Sequence, residues 1–171
     1  MARTGDAMNG NEKKMISADW LKKTELFESL EDPQLNILLS HAFVQTFPEG
    51  KTIFRQGEKA IRLYVLIEGE VDLTVKAQEQ IDFMTSKIEK EGAVFGTASL
   101  MEPFRYNVTA KCLKPSQVLT LVADQIKKKM EEDPKMEMEI MKKLASIYFN
   151  RLNDLRSGVS TLMEILKTKT P

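Results

Sequence analysis

The spacing of apolar residues changes twice along the chain and divides it into three parts. Across residues 32–42 the apolar side chains fall three and four positions apart, and Asp32–Pro33 is typical of a helix start. Across residues 43–122 apolar and polar residues alternate instead, and beyond residue 123 the helical spacing returns. The sequence therefore predicts N-terminal helices, a central all-β region and a helical C-terminal part.

The central part predicts short antiparallel strands separated by turns. Its clearest strand is residues 61–67, where apolar residues occupy every second position. Turns are predicted at Pro48-Glu49-Gly50, Gln56-Gly57-Glu58 and Glu68-Gly69-Glu70. Seven or eight such strands with turns at intervals of about eight to twelve residues are typical of an antiparallel barrel or sandwich.

The C-terminal part predicts a long helix that begins at Asp133–Pro134. Two apolar rows follow it, one formed by Met138, Met141, Ala145, Tyr148, Leu152 and Leu155, the other by Ile140, Leu144 and Ile147. The combined face is wider than a coiled-coil seam, so we expect it to cover two surfaces, the barrel and a partner helix. Gly158 is expected to end or break this helix. The expected division is a flexible tail over residues 1–17, a domain over 18–133 and a helical segment over 134–171.

Composition narrows the class of protein. The 171 residues carry 25 Lys and Arg against 25 Asp and Glu, which argues against direct nucleic-acid binding. A lone cysteine, Cys112, allows no internal disulfide, and no apolar run approaches the roughly 20 residues of a membrane span. The polar N-terminus lacks a signal core, so we expect a soluble cytoplasmic protein without membrane contact. No catalytic triad, metal-ligand cluster or phosphate-binding loop is evident, which favours a role other than catalysis.

The stretch GAVFGTASLMEPFRYNVTAKC, residues 92–112, contains the best candidate for chemistry. An apolar strand ends at Gly96, and small residues follow it before the next strand. A glycine between a strand and a short helix leaves backbone N–H groups unpaired, and these can hold an anion together with the positive end of the helix. The alternative is that Gly96 only permits a tight turn before a helix cap.

The order of elements and the quoted turns, followed by Phe95–Gly96, resemble the cyclic nucleotide-binding domain family. The stretch FPEGKTIFRQGEKAIRLYVLIEGEVDLTV is similar to the first half of that family's barrel, and the resemblance covers about residues 18–155. It implies a mainly β fold: an eight-stranded antiparallel, jelly-roll-like barrel with N-terminal helices and a long C-terminal helix. It also implies a phosphate-binding cassette after Phe95–Gly96.

In that family a glutamate after the cassette glycine binds the ribose hydroxyl, and an arginine binds the cyclic phosphate. Thr97 stands at the glutamate position. Val108 and Ala110, two and four residues later, favour Tyr106 at the arginine position, with Arg105 the alternative if the preceding loop is short or bulged. The candidate ligand-binding residues are Phe95, Gly96, Thr97, Ala98, Ser99, Arg105, Tyr106 and Asn107.

Two functions remain open at this stage. The first is a stand-alone regulatory domain that senses a small ligand, a cyclic nucleotide or a related anion, and moves its C-terminal helix. The expected ligand would be cAMP or cGMP, but Thr97 and Tyr106 replace the usual glutamate and arginine and weaken that expectation. The second is a ligand-free barrel that acts as a dimerisation or protein-interaction module. In both, the C-terminal helix is expected to form a homodimer, and no cofactor or metal is expected.

Overall fold

The computed structural model describes residues 15–78 and 81–168. It also describes the side chains of these residues, except those of residues 77–85. Most of the tail predicted for residues 1–17 lies outside the described residues. The helices are α1 Ala18–Leu21, α2 Asp32–Ser40, α3 Ala123–Glu132 and α4 Pro134–Thr168. The strands are β1 Ala42–Phe47, β2 Thr52–Phe54, β3 Arg62–Glu68, β4 Val71–Gln78, β5 Ile81–Ile88, β6 Val94–Phe95, β7 Thr109–Cys112 and β8 Ser116–Val122. A single 3₁₀ turn, Thr97–Leu100, follows β6.

The eight strands form two antiparallel sheets. One sheet has the order β1-β8-β3-β6 and the other the order β2-β7-β4-β5. Residues from both sheets, among them Tyr64 and Phe95 from the first and Phe54 and Ala110 from the second, share one buried cluster between them. The predicted mainly β fold, with eight antiparallel strands, flanking helices and a long C-terminal helix, is confirmed.

The alternation in β3 places its two faces in two different cores. Tyr64 and Leu66 point between the sheets, whereas Leu63, Val65 and Ile67 belong to the cluster that the helices cover. This second cluster also contains residues of α1, α2 and α3, together with Met136, Ile140, Leu144 and Ile147 of α4. Because β3 is buried on both faces, the barrel and the helices around it form one packed unit.

Helix α4 differs from its prediction in one respect. It continues without interruption from Pro134 to Thr168, so the expected end or break at Gly158 was wrong. A glycine within a helix costs only about 1 kcal/mol relative to alanine, and good helix formers return at Leu162, Met163 and Glu164, so the helix continues past that point. The sequence predicts Asp32 as the N-cap of α2, whereas in the structure Glu31 is the N-cap and Asp32 the first helical residue.

Two further features bear on the class of protein. Within the described part of the chain, no helix is both long and apolar enough to cross a membrane. Residues 15–78 and 81–168 also contain no group of three His, Cys, Asp or Glu side chains arranged to hold a metal ion.

Cys112 is a free, buried thiol, and burial raises its pKa.

Candidate functional site

Gly96 sets the geometry of the chain after β6. Its φ of 73° lies in the left-handed region, which residues with a Cβ rarely adopt. A Cβ there would lie 3.0 Å from the ring of Tyr64 and 3.1 Å from the carbonyl oxygen of Arg62. Both the turn and the close approach of β3 therefore require glycine at this position.

The 3₁₀ turn after Gly96 has backbone donors without a protein partner. The hydrogen bonds of the described residues leave the amides of Thr97 and Ala98 without an acceptor. The Ser99 side chain is fully buried, and its hydroxyl has no partner in the described part of the chain. The turn has only four residues, so its donors act as individual N–H groups and not through the dipole of a long helix.

The structure places Tyr106 inside the barrel and Arg105 outside it. Tyr106 is 4% exposed, and its hydroxyl donates to the carbonyl of Arg62 at 2.9 Å. Arg105 is exposed and its Nη1 donates to the carbonyl of Gly57 at 2.9 Å. Both residues precede β7, and an isolated bridge between Lys59 and Arg105 holds the chain there, with Tyr106 as the residue that is buried.

Tyr106 completes an aromatic stack that fills part of the barrel interior. Its ring lies 3.8 Å from that of Phe54 at an interplanar angle of 15°, and Tyr64 and Phe95 continue the stack at 5.2 Å from each other. Burial raises the pKa of both Tyr106 and Tyr64, so these phenols stay neutral. The position at which the resembled family has its phosphate-binding arginine is therefore occupied by the uncharged ring of Tyr106.

A cavity of about 220 Å³ lies beside this stack, between the barrel and helix α4. Most of its lining is aromatic or aliphatic, with a few hydroxyl and amide groups and one guanidinium. Its lining residues are Phe54, Leu73, Val75, Ser86, Gly96, Thr97, Ala98, Tyr106, Asn107, Val108, Tyr148, Arg151 and Leu155. An apolar pocket with a few converging polar groups is typical of a small-molecule site.

Helix α4 closes one side of this cavity through the polar contacts of two side chains. The hydroxyls of Tyr148 and Thr97 share a hydrogen bond at 2.8 Å. One turn later, Arg151 Nη2 donates to the carbonyl of Val94 at 2.5 Å and lies 3.4 Å from Glu25 Oε1. The helix is therefore attached to the strand and the turn on either side of Gly96.

The sequence candidates divide into three groups in space. Those that line the cavity are Gly96, Thr97, Ala98, Tyr106 and Asn107. Phe95 and Ser99 are buried and do not line it, and Arg105 is exposed and bonded to the Gly57 carbonyl, outside the lining. Sequence reasoning missed Tyr148 and Arg151 as site residues. The sequence pattern assigns Tyr148 to an apolar row. Arg151 lies three positions later on the same face of the helix, and this pair of polar groups was the signal that could have identified the site.

Known relatives agree with this fold. The cAMP-activated global transcriptional regulator CRP of Pasteurella multocida is 28% identical over 132 residues, which is 77% of this chain and 61% of that protein. The global nitrogen regulator of a Nostoc species is 30% identical over 105 residues, 60% of this chain and 47% of that protein. The chain thus spans roughly half the length of these curated relatives. Both are named as regulators.

Solved structures lead to the same family. The sensor domain of the transcriptional regulator DNR from Pseudomonas aeruginosa aligns with a TM-score of 0.64 and 25% identity, over 75% of this chain and 91% of that one. A protein from Geobacter metallireducens aligns with a TM-score of 0.72 and 29% identity, over 81% and 99%. Residues 44–133 match the profile described as the cyclic nucleotide-binding domain. The chain therefore belongs to the cyclic nucleotide-binding domain family.

Proposed function

We propose that the chain is a regulatory domain that senses a small ligand in the cavity beneath helix α4. The observation that supports this most is that barrel and helix line one cavity together and are joined there by few polar contacts. A ligand that binds more tightly in one position of the helix than in another shifts the helix toward that position. Occupancy of the cavity would in this way be reported by α4.

A cyclic nucleotide is the ligand class suggested by the family, but the polar groups here suit it poorly. Thr97 offers a neutral hydroxyl already bonded to Tyr148, and Tyr106 offers no charge. A phosphate held against the barrel at Thr97 and Tyr106 meets no cation there, because the one charged lining residue, Arg151, comes from helix α4. It therefore loses the charge-assisted hydrogen bonds that make such binding tight. We therefore expect cAMP and cGMP to bind weakly, and a smaller anion to fit better.

A thermal-shift panel tests the sensing proposal. Wild-type protein is heated with cAMP, cGMP, inorganic phosphate or benzoate, and we expect at least one to raise the melting temperature. Ala98→Phe, which fills the cavity from its rim, should abolish that rise. Ile37→Phe is the control, because Ile37 is a 39%-exposed residue of α2 outside the lining. The proposal would be contradicted if no compound of the panel raised the melting temperature of the wild-type protein or of the Ile37→Phe control.

The second candidate function is an interaction module that forms homodimers through α4. After Tyr148, whose hydroxyl contacts Thr97, the apolar residues Leu152, Leu155, Val159 and Leu162 follow one another at alternating spacings of three and four. Leu152, Leu155, Val159 and Leu162 are between 51% and 61% exposed. This heptad spacing is what two helices need to pack side by side, so the expected occupant is a second copy of the chain.

Mass measurement in solution tests the dimer. We expect a dimer for the wild-type chain at micromolar concentration and a monomer for Leu162→Glu, because the charge would be buried in the apolar seam. Thr161→Glu is the matched control, since Thr161 is the adjacent exposed residue outside the row. A wild-type monomer, or equal behaviour of the two variants, would contradict this arrangement. Nucleic acid and membrane have no part in either proposal.

A further inference from the structure

Arg151 is the one charged residue among those that line the cavity. It comes from helix α4 and not from the barrel, and its side chain is only 25% exposed. The other lining residues are aliphatic, aromatic, hydroxyl-bearing or amide side chains and one glycine. An arginine that is three-quarters shielded from water interacts more strongly with an anion than an arginine on an open surface does.

The contacts of Arg151 leave most of its donors available. Nη2 makes both described contacts, to the carbonyl of Val94 and, more loosely, to Glu25. Within the described part of the chain, Nε and Nη1 have no acceptor. The planar guanidinium matches a carboxylate with two parallel N–H···O bonds, so an anion can bind here without breaking the contact to Val94.

The size and walls of the cavity define the rest of the ligand. Its volume of about 220 Å³ is below the range of about 300–1,000 Å³ that is usual for drug-sized ligands. The rings of Phe54 and Tyr106 and the side chains of Leu73 and Val108 face it. Such walls favour a compact apolar body, and a flat ring can extend the existing stack of Phe54 on Tyr106.

We propose that Arg151 is the anion anchor of this cavity and that its ligands are small carboxylates with an aromatic or branched apolar body. This inference rests on the proposed function, since it takes the cavity to be a ligand site. In the family's pattern the anchoring arginine lies on the barrel, at the position that Tyr106 occupies here. In this chain the anchoring charge lies on helix α4. A bound carboxylate then bridges barrel and helix directly, because its body lies against the barrel and its charge is held by α4.

Glu25 competes for the same guanidinium. Its Oε1 accepts the Val94 amide at 2.7 Å and lies 3.4 Å from Arg151 Nη2. Glu25→Gln keeps an oxygen acceptor for the amide but removes the negative charge beside the anchor. We therefore expect this variant to bind a carboxylate more tightly than the wild-type chain does.

A pair of probes that differ in charge alone tests the anchor. Benzoate and benzamide share a ring, and their dissociation constants are measured by NMR titration of the full chain. We expect benzoate to bind wild-type protein about ten to a hundred times more tightly than benzamide, the range for hydrogen bonds to a charged group. Arg151→Gln should remove this preference, Arg151→Lys should keep part of it, and Glu25→Gln should increase it.

Arg156→Gln is the matched control, because Arg156 is an exposed arginine on the same helix outside the lining. It should keep the wild-type preference, and well-dispersed amide spectra confirm that each variant is folded. Equal affinities of the two probes for wild-type protein, or equal effects of the two arginine substitutions, would overturn the inference. Binding of cAMP without a preference for benzoate would overturn it and leave the sensing proposal standing. If none of the probes bound, both this inference and the sensing proposal would be contradicted.

Discussion

The two walls of the cavity are built in different ways. On the barrel wall Phe54 and Tyr106 are 3% and 4% exposed, stack at 3.8 Å and press against Gly96 and its neighbours. On the helix wall Leu155 is 51% exposed, and Tyr148 and Arg151 make single polar contacts to the barrel. Dense apolar packing resists displacement, whereas a few partly exposed hydrogen bonds are each worth only about 0.5–1.5 kcal/mol.

This difference identifies the part of the site that can respond to a ligand. The barrel wall is held in one arrangement, because any movement would open voids among buried rings. The helix wall can move after the loss of the polar contacts that Tyr148 and Arg151 make, while Ile140, Leu144 and Ile147 keep the first half of α4 in the core. Substitutions on the barrel wall should therefore lower stability, and substitutions on the helix wall should change helix motion and binding.

The largest effect is expected on the barrel wall at Phe54. Phe54→Ala removes a ring that stacks on Tyr106, Tyr64 and Phe95 and leaves a hole among them. The free energy of unfolding should fall by about 3–5 kcal/mol, measured by urea denaturation. Phe43→Ala is the control at a 42%-exposed site and should change it by less than about 1 kcal/mol. Equal losses would show that the stack is not tightly packed.

A smaller loss is expected at the glycine between the two walls. Gly96→Ala adds backbone strain and a Cβ that crowds Tyr64 and the Arg62 carbonyl, so we expect a loss of about 2–3 kcal/mol. Gly57→Ala has a similar φ of 87° with nothing within 4 Å, so strain alone should cost about 1–2 kcal/mol. Urea denaturation of both variants separates the cost of backbone strain from the cost of crowding by the added Cβ. If Gly57→Ala were the more damaging, the close approach at Gly96 would be contradicted.

The smallest change in stability is expected on the helix wall. Tyr148→Phe removes the hydroxyl bonded to Thr97 and should lower the free energy of unfolding by about 1 kcal/mol or less. Amide hydrogen exchange in residues 148–157 should nevertheless become faster, since one of the two polar attachments is gone. Unchanged exchange there would mean that packing, and not this hydrogen bond, positions the helix.

Local patterns predicted much of the fold and part of the site. The period of two identified the strands around β3, because that period is a property of consecutive residues. The short stretch after Gly96 supplies Thr97, Tyr106 and Asn107 to the lining of one cavity, and their binding of a ligand stays a prediction. The contacts from α4 could not be read in this way. Tyr148 reaches Thr97 across 51 residues and Arg151 reaches Val94 across 57, and a single sequence carries no record of such pairings.

Gly158 shows the opposite limit. Local propensity favours a helix end at a glycine, but α4 continues to Thr168, because one glycine costs only about 1 kcal/mol and good helix formers return at Leu162, Met163 and Glu164. The two apolar rows at helical spacing predicted one face for the barrel and one for a partner helix. The structure places Ile140, Leu144 and Ile147 in the core that the helices share with the barrel, and Leu152 is 51% exposed. The partner helix stays a prediction.

Hydrogen–deuterium exchange with and without ligand tests the central claim most directly. The full chain is measured alone and with saturating cAMP, cGMP or benzoate, whichever gives the largest thermal shift. If the cavity is a ligand site that helix α4 reports, exchange should slow in residues 97–101 and 144–157 together and stay unchanged in β8. Protection confined to the barrel, with α4 exchanging as in the free protein, would contradict the account.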